Sequence, residues 1–158
     1  MTKAELLNEA KRFRRAIERA RDAGEFNYLI KSNLPEKMIK FPDDCCDDTA
    51  DLFVHYLYNQ YGVTSIRIDG DYFDDYRGYL CWHSWQETED RIIDLTGDQF
   101  DNVPSVPIKA GPVYVGHMDD FHRQFSIKRS KLSCGIECLG EGCKDRMYRL
   151  YESIVMHM

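Results

Sequence analysis

Apolar residues recur at helical intervals near the start of the chain. The series is Leu6, Ala10, Phe13, Ile17 and Ala20. This spacing predicts an amphipathic helix that ends near Gly24, and Thr2 with Glu5 fits a capping box at its start. The opposite face is basic and contains Lys11, Arg12, Arg14, Arg15, Arg19 and Arg21. We interpret this face as solvated, with binding of a nucleic acid or an acidic partner as the alternative.

A second helix is predicted after the segment Phe41-Pro-Asp-Asp-Cys-Cys-Asp-Asp-Thr-Ala50. Its apolar face contains Ala50, Phe53, Val54, Leu57 and Tyr58. Asp43 or Asp44 is the expected N-cap, and Gly62 is the expected left-handed residue after the last turn. Cys46 should therefore lie in the first turn of this helix.

Strand patterns follow the second helix. β-Branched residues dominate from 63 to 69 and predict a strand, whereas 70–78 is rich in turn residues. The stretches 79–86 and 91–96 predict two strands joined around Thr88-Glu89-Asp90, and 113–115 predicts a short strand.

The last segment again has helical spacing, at about 144–157. Helices followed by a run of strands indicate an α+β fold. We expect a single domain over 1–158, with N-terminal helices over 3–40 and a core over 41–116. In that core, the central helix that begins near Cys46 should pack on a small antiparallel sheet.

Composition excludes several classes of protein. The 158 residues are 43% apolar with a net charge of −6, which is typical of a globular domain and argues against a nucleic-acid partner. No apolar run approaches the roughly 18–20 residues of a membrane span. Residues 1–15 alternate charged and apolar side chains and show no secretory signal, so we expect a cytoplasmic protein without a membrane partner.

Six cysteines without an export signal are expected to be reduced thiols rather than a disulfide framework. A thiol becomes a nucleophile as the thiolate, and a helix N-terminus favours that form. Cys46 has this position, next to Cys45 as a rival. A thiol nucleophile also requires an imidazole to take its proton and a carboxylate to orient the ring. His83 and Asp94, on the two predicted paired strands, supply these groups.

The register of the two predicted strands tests whether His83 and Asp94 can interact. If His83 faces Asp94 directly, all opposed residues share a residue-number sum of 177 and the hairpin closes on Thr88-Glu89. Any odd sum keeps the two side chains on one face of the sheet, whereas an even sum separates them unless a bulge intervenes. Read singly, Cys46, His83 and Asp94 are also explained as a buried thiol, a core histidine and a turn acceptor.

Three segments together resemble the papain-like, transglutaminase-like cysteine hydrolase superfamily. They are Phe41-Pro42 with Cys46 and Asp48 at a helix start, His83-Ser84-Trp85 on one strand, and Ile92-Ile93-Asp94-Leu95-Thr96 on the next. The resemblance covers about 41–100 and is strongest to small bacterial members. It implies a Cys-His-Asp triad of Cys46, His83 and Asp94, with Cys46 rather than Cys45 as nucleophile. It does not separate peptidase, deamidase and acyltransferase.

Four aspartates surround the two cysteines: Asp43, Asp44, Asp47 and Asp48. Nearby anions disfavour a thiolate, and a small residue is expected at position 47 in related proteins. Protonated His83 would have to offset this charge. Alternatively, the carboxylates select a cationic substrate or bind calcium, although their spacing is not that of an EF-hand loop.

Four aromatic side chains are predicted to contact substrate: Tyr76, Tyr79, Trp82 and Trp85. Near the C-terminus, Cys134, Cys138 and Cys143 with His122 are a possible zinc set, but their spacing favours ordinary thiols. His117 and His122 are otherwise interpreted as surface or turn residues. No metal or cofactor is expected.

These observations favour a thiol-dependent enzyme that hydrolyses or transfers an acyl group of a peptide, a protein or a small amide. Peptide cleavage, glutamine deamidation and transglutamination all fit, and nothing in the sequence marks a second substrate, which favours hydrolysis. Two alternatives remain: a non-catalytic partner-binding module on the same fold, and a zinc or redox protein that uses the C-terminal cysteines.

Overall fold

The first helix begins where the capping box predicts. In the computed structural model, which describes residues 1–27, 36–75, 78–89 and 91–158, α1 spans Lys3–Asp22. The Thr2 hydroxyl accepts a hydrogen bond from the Glu5 amide at 3.3 Å, and the Glu5 carboxylate accepts one from the Thr2 amide at 2.8 Å. The predicted apolar face is buried. Arg14 departs from the solvated basic face, because it is buried and bonds elsewhere in the fold.

The second helix, α2, spans Cys46–Tyr61. It ends at Gly62, whose φ of 66° confirms the predicted left-handed C-terminal residue. The predicted aspartate N-cap is wrong. Cys45 is the capping residue and makes no side-chain capping bond, while Asp44 has a φ of 58° in the turn before it. Cys46 therefore occupies the first helical position, as the sequence indicates.

Five antiparallel strands form one sheet in the order β4-β3-β2-β1-β5. Their bounds are Ser65–Asp74, Tyr79–Thr88, Arg91–Asp94, Tyr114–Gly116 and Ser126–Ser133 for β1 to β5. The α+β prediction is confirmed. The first strand runs five residues past its predicted end, because β2 pairs with it as far as Asp74 and β5 as far as Asp71. The edge strand β5 was not predicted, since almost all of its residues are exposed and show no apolar alternation.

The register of the β2–β3 pair differs from the sequence expectation. Gln86 pairs with Ile93 and Thr88 with Arg91, so opposed residues sum to 179 rather than 177. The turn is therefore displaced by one residue, and Glu89 enters it with a φ of 51°. The sum remains odd, so His83 and Asp94 still share one face of the sheet.

Two further helices are α3, which spans Asp120–Arg123 between β4 and β5, and α4, which spans Glu141–Val155 after β5. The C-terminal helix begins three residues earlier than predicted. One apolar core joins residues of α1, α2, β3 and α4, and it includes Ile93. A second core on the opposite face includes Ile92, Trp85 and Phe125. Within the described residues, no helix is both long and apolar enough to cross a membrane.

Candidate active site

Cys46 lies where the start of α2 meets a surface cleft. Its side chain is 8% exposed and lines the cleft. Cys45 lies in the apolar core, fully buried, with its sulfur 3.8 Å from the Thr49 hydroxyl. Burial raises the pKa of the Cys45 thiol far above its ordinary value. Of the two adjacent thiols, only Cys46 is thus placed to meet a substrate.

His83 is fully buried beside this thiol. Its Nε2 atom lies 2.8 Å from Oδ2 of Asp94, and its Nδ1 atom lies 2.9 Å from Nε2 of Gln99. Aromatic rings surround the imidazole on other sides, with centroids 5.2 to 5.7 Å away: Trp85, Phe100, Phe121 and Phe125. This packing leaves the ring one orientation.

Gly70 faces His83 on the neighbouring strand β1. A Cβ atom at Gly70 would lie 2.9 Å from Cβ of Phe125 and 3.2 Å from the Trp85 ring. Only glycine therefore lets these two rings pack against the sheet beside the imidazole.

The protonation equilibrium of His83 reflects two opposing effects. Burial lowers its pKa, but the Asp94 carboxylate and a hydrogen bond with the Cys46 side chain outweigh burial and raise the pKa to about 10. For Asp94, burial raises the pKa, but His83 and His122 outweigh it and hold the pKa well below its ordinary value. These pKa shifts favour an imidazolium beside a carboxylate at neutral pH, whereas the Gln99 Nε2 donor 2.9 Å from Nδ1 is the contact that suits a neutral ring.

Asp94 is held from several sides. Its Oδ1 atom accepts a hydrogen bond from the Thr96 amide at 2.9 Å, and His122 Nε2 lies 3.2 Å from Oδ2. A Cβ atom at Gly97 would lie 3.0 Å from Oδ2 and 2.6 Å from Cβ of Ala110. Glycine at position 97 therefore lets the chain fold closely around the carboxylate.

His122 is the residue that the sequence analysis missed. It is 1% exposed, so its interpretation as a surface or turn residue is wrong. Asp119 caps α3 by accepting the His122 amide hydrogen bond at 3.0 Å, and the same oxygen lies 2.6 Å from His122 Nδ1. The Asp119 helix-capping pattern, with a histidine three residues later, was the available signal.

The cleft next to Cys46 has a volume of about 710 Å³. It is lined by the start of α2, by β1 and β2, by residues 99–103 and by Arg129 of β5. Leu80 and Trp82 form an apolar wall and are 46% and 54% exposed, respectively. Half of the remaining lining residues are charged: Lys37, Asp43, Asp44, Asp47, Arg67, Asp69 and Arg129.

Lys37 changes the expected effect of Asp47 on the thiol. Its Nζ atom lies 2.6 Å from Oδ1 of Asp47 and 3.3 Å from Oδ2 of Asp48. Asp48 also forms a close ion pair with Arg146 of α4. These cations offset the negative charge that surrounds the start of α2, which the sequence pattern alone left unbalanced.

The structure separates the four predicted substrate contacts. Trp82 lines the cleft. Trp85 is 1% exposed, packs in the second core and does not line the cleft, because residues three apart on a strand point to opposite faces. Tyr76 lies outside the described residues. Tyr79 begins β2, and its side chain also lies outside them.

The possible zinc set does not assemble. Cys134 and Cys138 form a disulfide, which corrects the expectation that all six cysteines are thiols. Cys143 is exposed, and His122 bonds to Asp94 and Asp119 instead. The proximity of Cys134 and Cys138 arises from the 3₁₀ turn Gly135–Cys138 between them.

His83, Asp94 and His122 bring their donor atoms within 4.8 Å of one another. The hydrogen-bond distances of 2.8 and 3.2 Å to the shared carboxylate oxygen account for this spacing. The arrangement therefore combines a thiol at a helix start, a buried imidazole, a carboxylate and an open cleft. This is the constellation that nucleophilic acyl transfer requires.

Comparison with known proteins gives no independent assignment. No family model, no curated protein and no solved structure matches this chain.

Proposed function

We propose that this protein is a thiol-dependent acyl-transfer enzyme of the transglutaminase-like type, with Cys46 as nucleophile, His83 as general acid and base, and Asp94 as the group that orients His83. One observation carries the proposal: a single buried imidazole bonds to Asp94 at 2.8 Å and to the Cys46 side chain, which itself opens into the cleft. A histidine with only a structural role in the core requires neither a hydrogen bond to a thiol nor a position beside a cleft.

The proposed reaction has two halves. The Cys46 thiolate attacks the carbonyl carbon of an amide, and protonated His83 gives its proton to the departing amine, which leaves a thioester on Cys46. Water then loses a proton to His83 and attacks the thioester. The intermediate collapses to release the acid, which returns the Cys46 thiolate and leaves the proton from water on His83.

Two donors are suitably placed for the oxyanion of each tetrahedral intermediate. The backbone amide of Cys46 occupies the first position of α2, where an amide has no partner within the helix. The Gln99 side-chain amide lines the same cleft and lies 2.9 Å from His83 Nδ1. Donors fixed in advance around the developing charge lower the barrier to acyl transfer.

Because the cleft is open, a peptide, a protein side chain or a small amide could reach Cys46, and we propose these as the substrate classes. We favour hydrolysis because the cleft beside Cys46 is open to water, which can act as the acyl acceptor. We place the enzyme in the cytoplasm, where Cys45, Cys46, Cys81 and Cys143 stay reduced. The Cys134–Cys138 disulfide is the feature of the described chain that counts against this location.

Alkylation with iodoacetamide across pH 5 to 9, read out by peptide mass spectrometry, tests the proposed pair. Cys143 is the internal reference, because it is an exposed thiol of the same chain. We expect Cys46 to react faster than Cys143 at pH 6 despite its lower exposure, since a thiolate–imidazolium pair persists where ordinary thiols are protonated. His83→Gln should remove this advantage and leave Cys143 unchanged.

Equal rates for both thiols at pH 6, with no effect of His83→Gln, would reject the catalytic pair. A second experiment addresses the chemistry itself. An activated ester such as p-nitrophenyl acetate should form an acyl adduct on Cys46 in the wild type and none in Cys46→Ala. A reactive Cys46 that never becomes acylated would favour the non-catalytic binding module.

A further inference from the structure

A second histidine is bonded to the carboxylate of the proposed triad. The Nε2 atoms of His83 and His122 both approach Oδ2 of Asp94, at 2.8 and 3.2 Å. The two imidazoles lie nearly parallel, with ring centroids 6.2 Å apart. Oδ2 of Asp94 thus contacts two histidines, and the proposed triad includes only one of them, His83.

His122 has a carboxylate oxygen at each ring nitrogen. Nδ1 lies 2.6 Å from Oδ1 of Asp119, and Nε2 lies 3.2 Å from Oδ2 of Asp94. A carboxylate only accepts hydrogen bonds, so a nitrogen without a proton would present a lone pair to an anion at one of these contacts. Two favourable contacts require protons on both nitrogens.

Other groups around His122 do not compete for these protons. The ring packs against Tyr114 of β4 at 5.4 Å, Trp85 of β2 at 5.1 Å and Phe121 of α3 at 5.0 Å between centroids. Among the described residues, the charged or titratable groups in contact with the ring are Asp94, Asp119, His83 and Tyr114. Its side chain has no exposed surface, so water does not replace either carboxylate contact.

We propose that His122 is a doubly protonated positioning residue that fixes Asp94 against His83, with Asp119 as its own anchor. The proposal rests on the proposed function of Cys46, His83 and Asp94. In the triad, Asp94 must present one oxygen to His83 Nε2 so that Nδ1 is directed away from Asp94. His122 holds that same oxygen from the other side, while the Thr96 amide holds Oδ1, so the carboxylate is fixed at both oxygens. The proposed site therefore comprises the triad of Cys46, His83 and Asp94 together with His122 and Asp119.

Nitrogen NMR of the full chain labelled with [¹⁵N]histidine tests the protonation of His122 directly. We expect both His122 nitrogens to show the shifts of an imidazolium at pH 7, in signals that disappear in His122→Gln. The spectrum of a neutral ring, with one protonated and one unprotonated nitrogen, overturns the proposal. Stoichiometric metal in the purified wild type that is lost in His122→Gln also overturns it, because a metal would replace the Nε2 proton.

The positioning role is tested by the pH profile of Cys46 alkylation. His122→Phe keeps a ring in the aromatic surroundings but removes both hydrogen bonds, and we expect roughly a tenfold slower reaction at pH 6, with the profile moved to higher pH. His122→Gln retains one amide donor and should recover part of the rate. His157→Gln is the matched control, because it changes a histidine near the C-terminus whose ring lies 3.7 Å from the Glu25 carboxylate, and it should leave the profile unchanged.

A melting temperature that falls in His122→Phe while the pH profile stays in place would show a purely structural role and overturn the proposal. An increased rate would overturn it as well. Failure of the proposed function is distinguishable: the wild-type Cys46 would then show no advantage over Cys143, whereas the nitrogen spectrum of His122 still reports whether both ring protons are present.

Discussion

His83 Nε2 lies 2.8 Å from Asp94 Oδ2 although the two residues are not opposed in the sheet. Continuing the β2–β3 register by one residue places Trp85 opposite Asp94. The contact is therefore diagonal, which long side chains on one face of an antiparallel pair can span. β3 ends at Asp94, and Gln99 from the turn that follows contacts the other ring nitrogen of His83 at 2.9 Å.

The free energy of unfolding of Asp94→Asn, compared with that of the wild type across pH, should measure how much the His83–Asp94 pair stabilises the fold. The pKa of His83 is raised to about 10 in the folded protein, above the roughly 6.5 of an unfolded histidine. The stabilisation is thus fully present below about pH 6.5 and is lost as the pH rises towards 10. The stability difference between wild type and Asp94→Asn should shrink over that interval, by at most about 1.4 kcal/mol per pH unit.

Urea unfolding of both proteins at pH 6, 8 and 10 measures this difference. The Asp94 carboxylate contributes with the opposite sign, since its lowered pKa gives stabilisation that is lost only in acid, below its unfolded value near 4. It therefore does not disturb the alkaline comparison. A constant difference between pH 6 and 10 would contradict the imidazolium–carboxylate assignment.

Gln99→Ala should separate thiol activation from stabilisation of the oxyanion. Alkylation of Cys46 forms no tetrahedral oxyanion, so its rate should change little. Acylation by p-nitrophenyl acetate passes through one and should slow by roughly 10²-fold, as for the loss of other oxyanion donors. Asn102→Ala is a matched control, because Asn102 also lines the cleft. Equal losses in both reactions would assign Gln99 to the orientation of His83 instead.

Lys37→Met should slow alkylation of Cys46 severalfold. The substitution leaves the Asp47 and Asp48 carboxylates without the ammonium that lies 2.6 and 3.3 Å from them, and the added negative charge disfavours the thiolate. The effect should weaken at high salt, because these side chains are partly exposed. The double variant Lys37→Met/Asp47→Asn should recover most of the wild-type rate. No recovery would show that Lys37 acts through packing.

Arg14→Met should destabilise the fold and loosen the site from a distance. Arg14 donates to the carbonyl oxygens of Leu95 and Pro112 at 2.5 and 2.8 Å and pairs with Asp98 at 2.7 Å. Removing it leaves buried acceptors beside Gln99 without a partner, which should cost about 3 kcal/mol of unfolding free energy. Arg15→Met, at an exposed neighbouring position, should change stability by less than about 0.5 kcal/mol. Chemical denaturation of both variants makes the comparison.

Cys45 and Cys46 should behave as opposites in one labelling experiment. Cys46 should react in the native protein, whereas Cys45 should react only after denaturation, because it is fully buried in the core and burial raises its pKa. Mass spectrometry of peptides from native and urea-treated samples distinguishes the two. Native labelling of Cys45 would show that the start of α2 opens in solution.

Local patterns in the sequence determined the elements that carry the site. The Thr2–Glu5 capping box, Gly62 and the apolar spacing fixed α1 and α2, because capping and helical amphipathicity involve residues only a few positions apart. The same reasoning placed Cys46 at a helix start. The parity of the β2–β3 pair put His83 and Asp94 on one face, since side chains alternate strictly along a strand.

Tertiary structure decided what depends on distant segments. The edge strand β5 shows no apolar alternation in its sequence. It is a strand because its backbone forms hydrogen bonds with β1. Tertiary contacts bury Cys45 more deeply than Cys46. The Lys37–Asp47 ion pair and the approach of His122 to Asp94 likewise join residues that local spacing does not relate. Charge balance and proton sharing within a site depend on distances between such segments, and those distances are set only when the chain has folded.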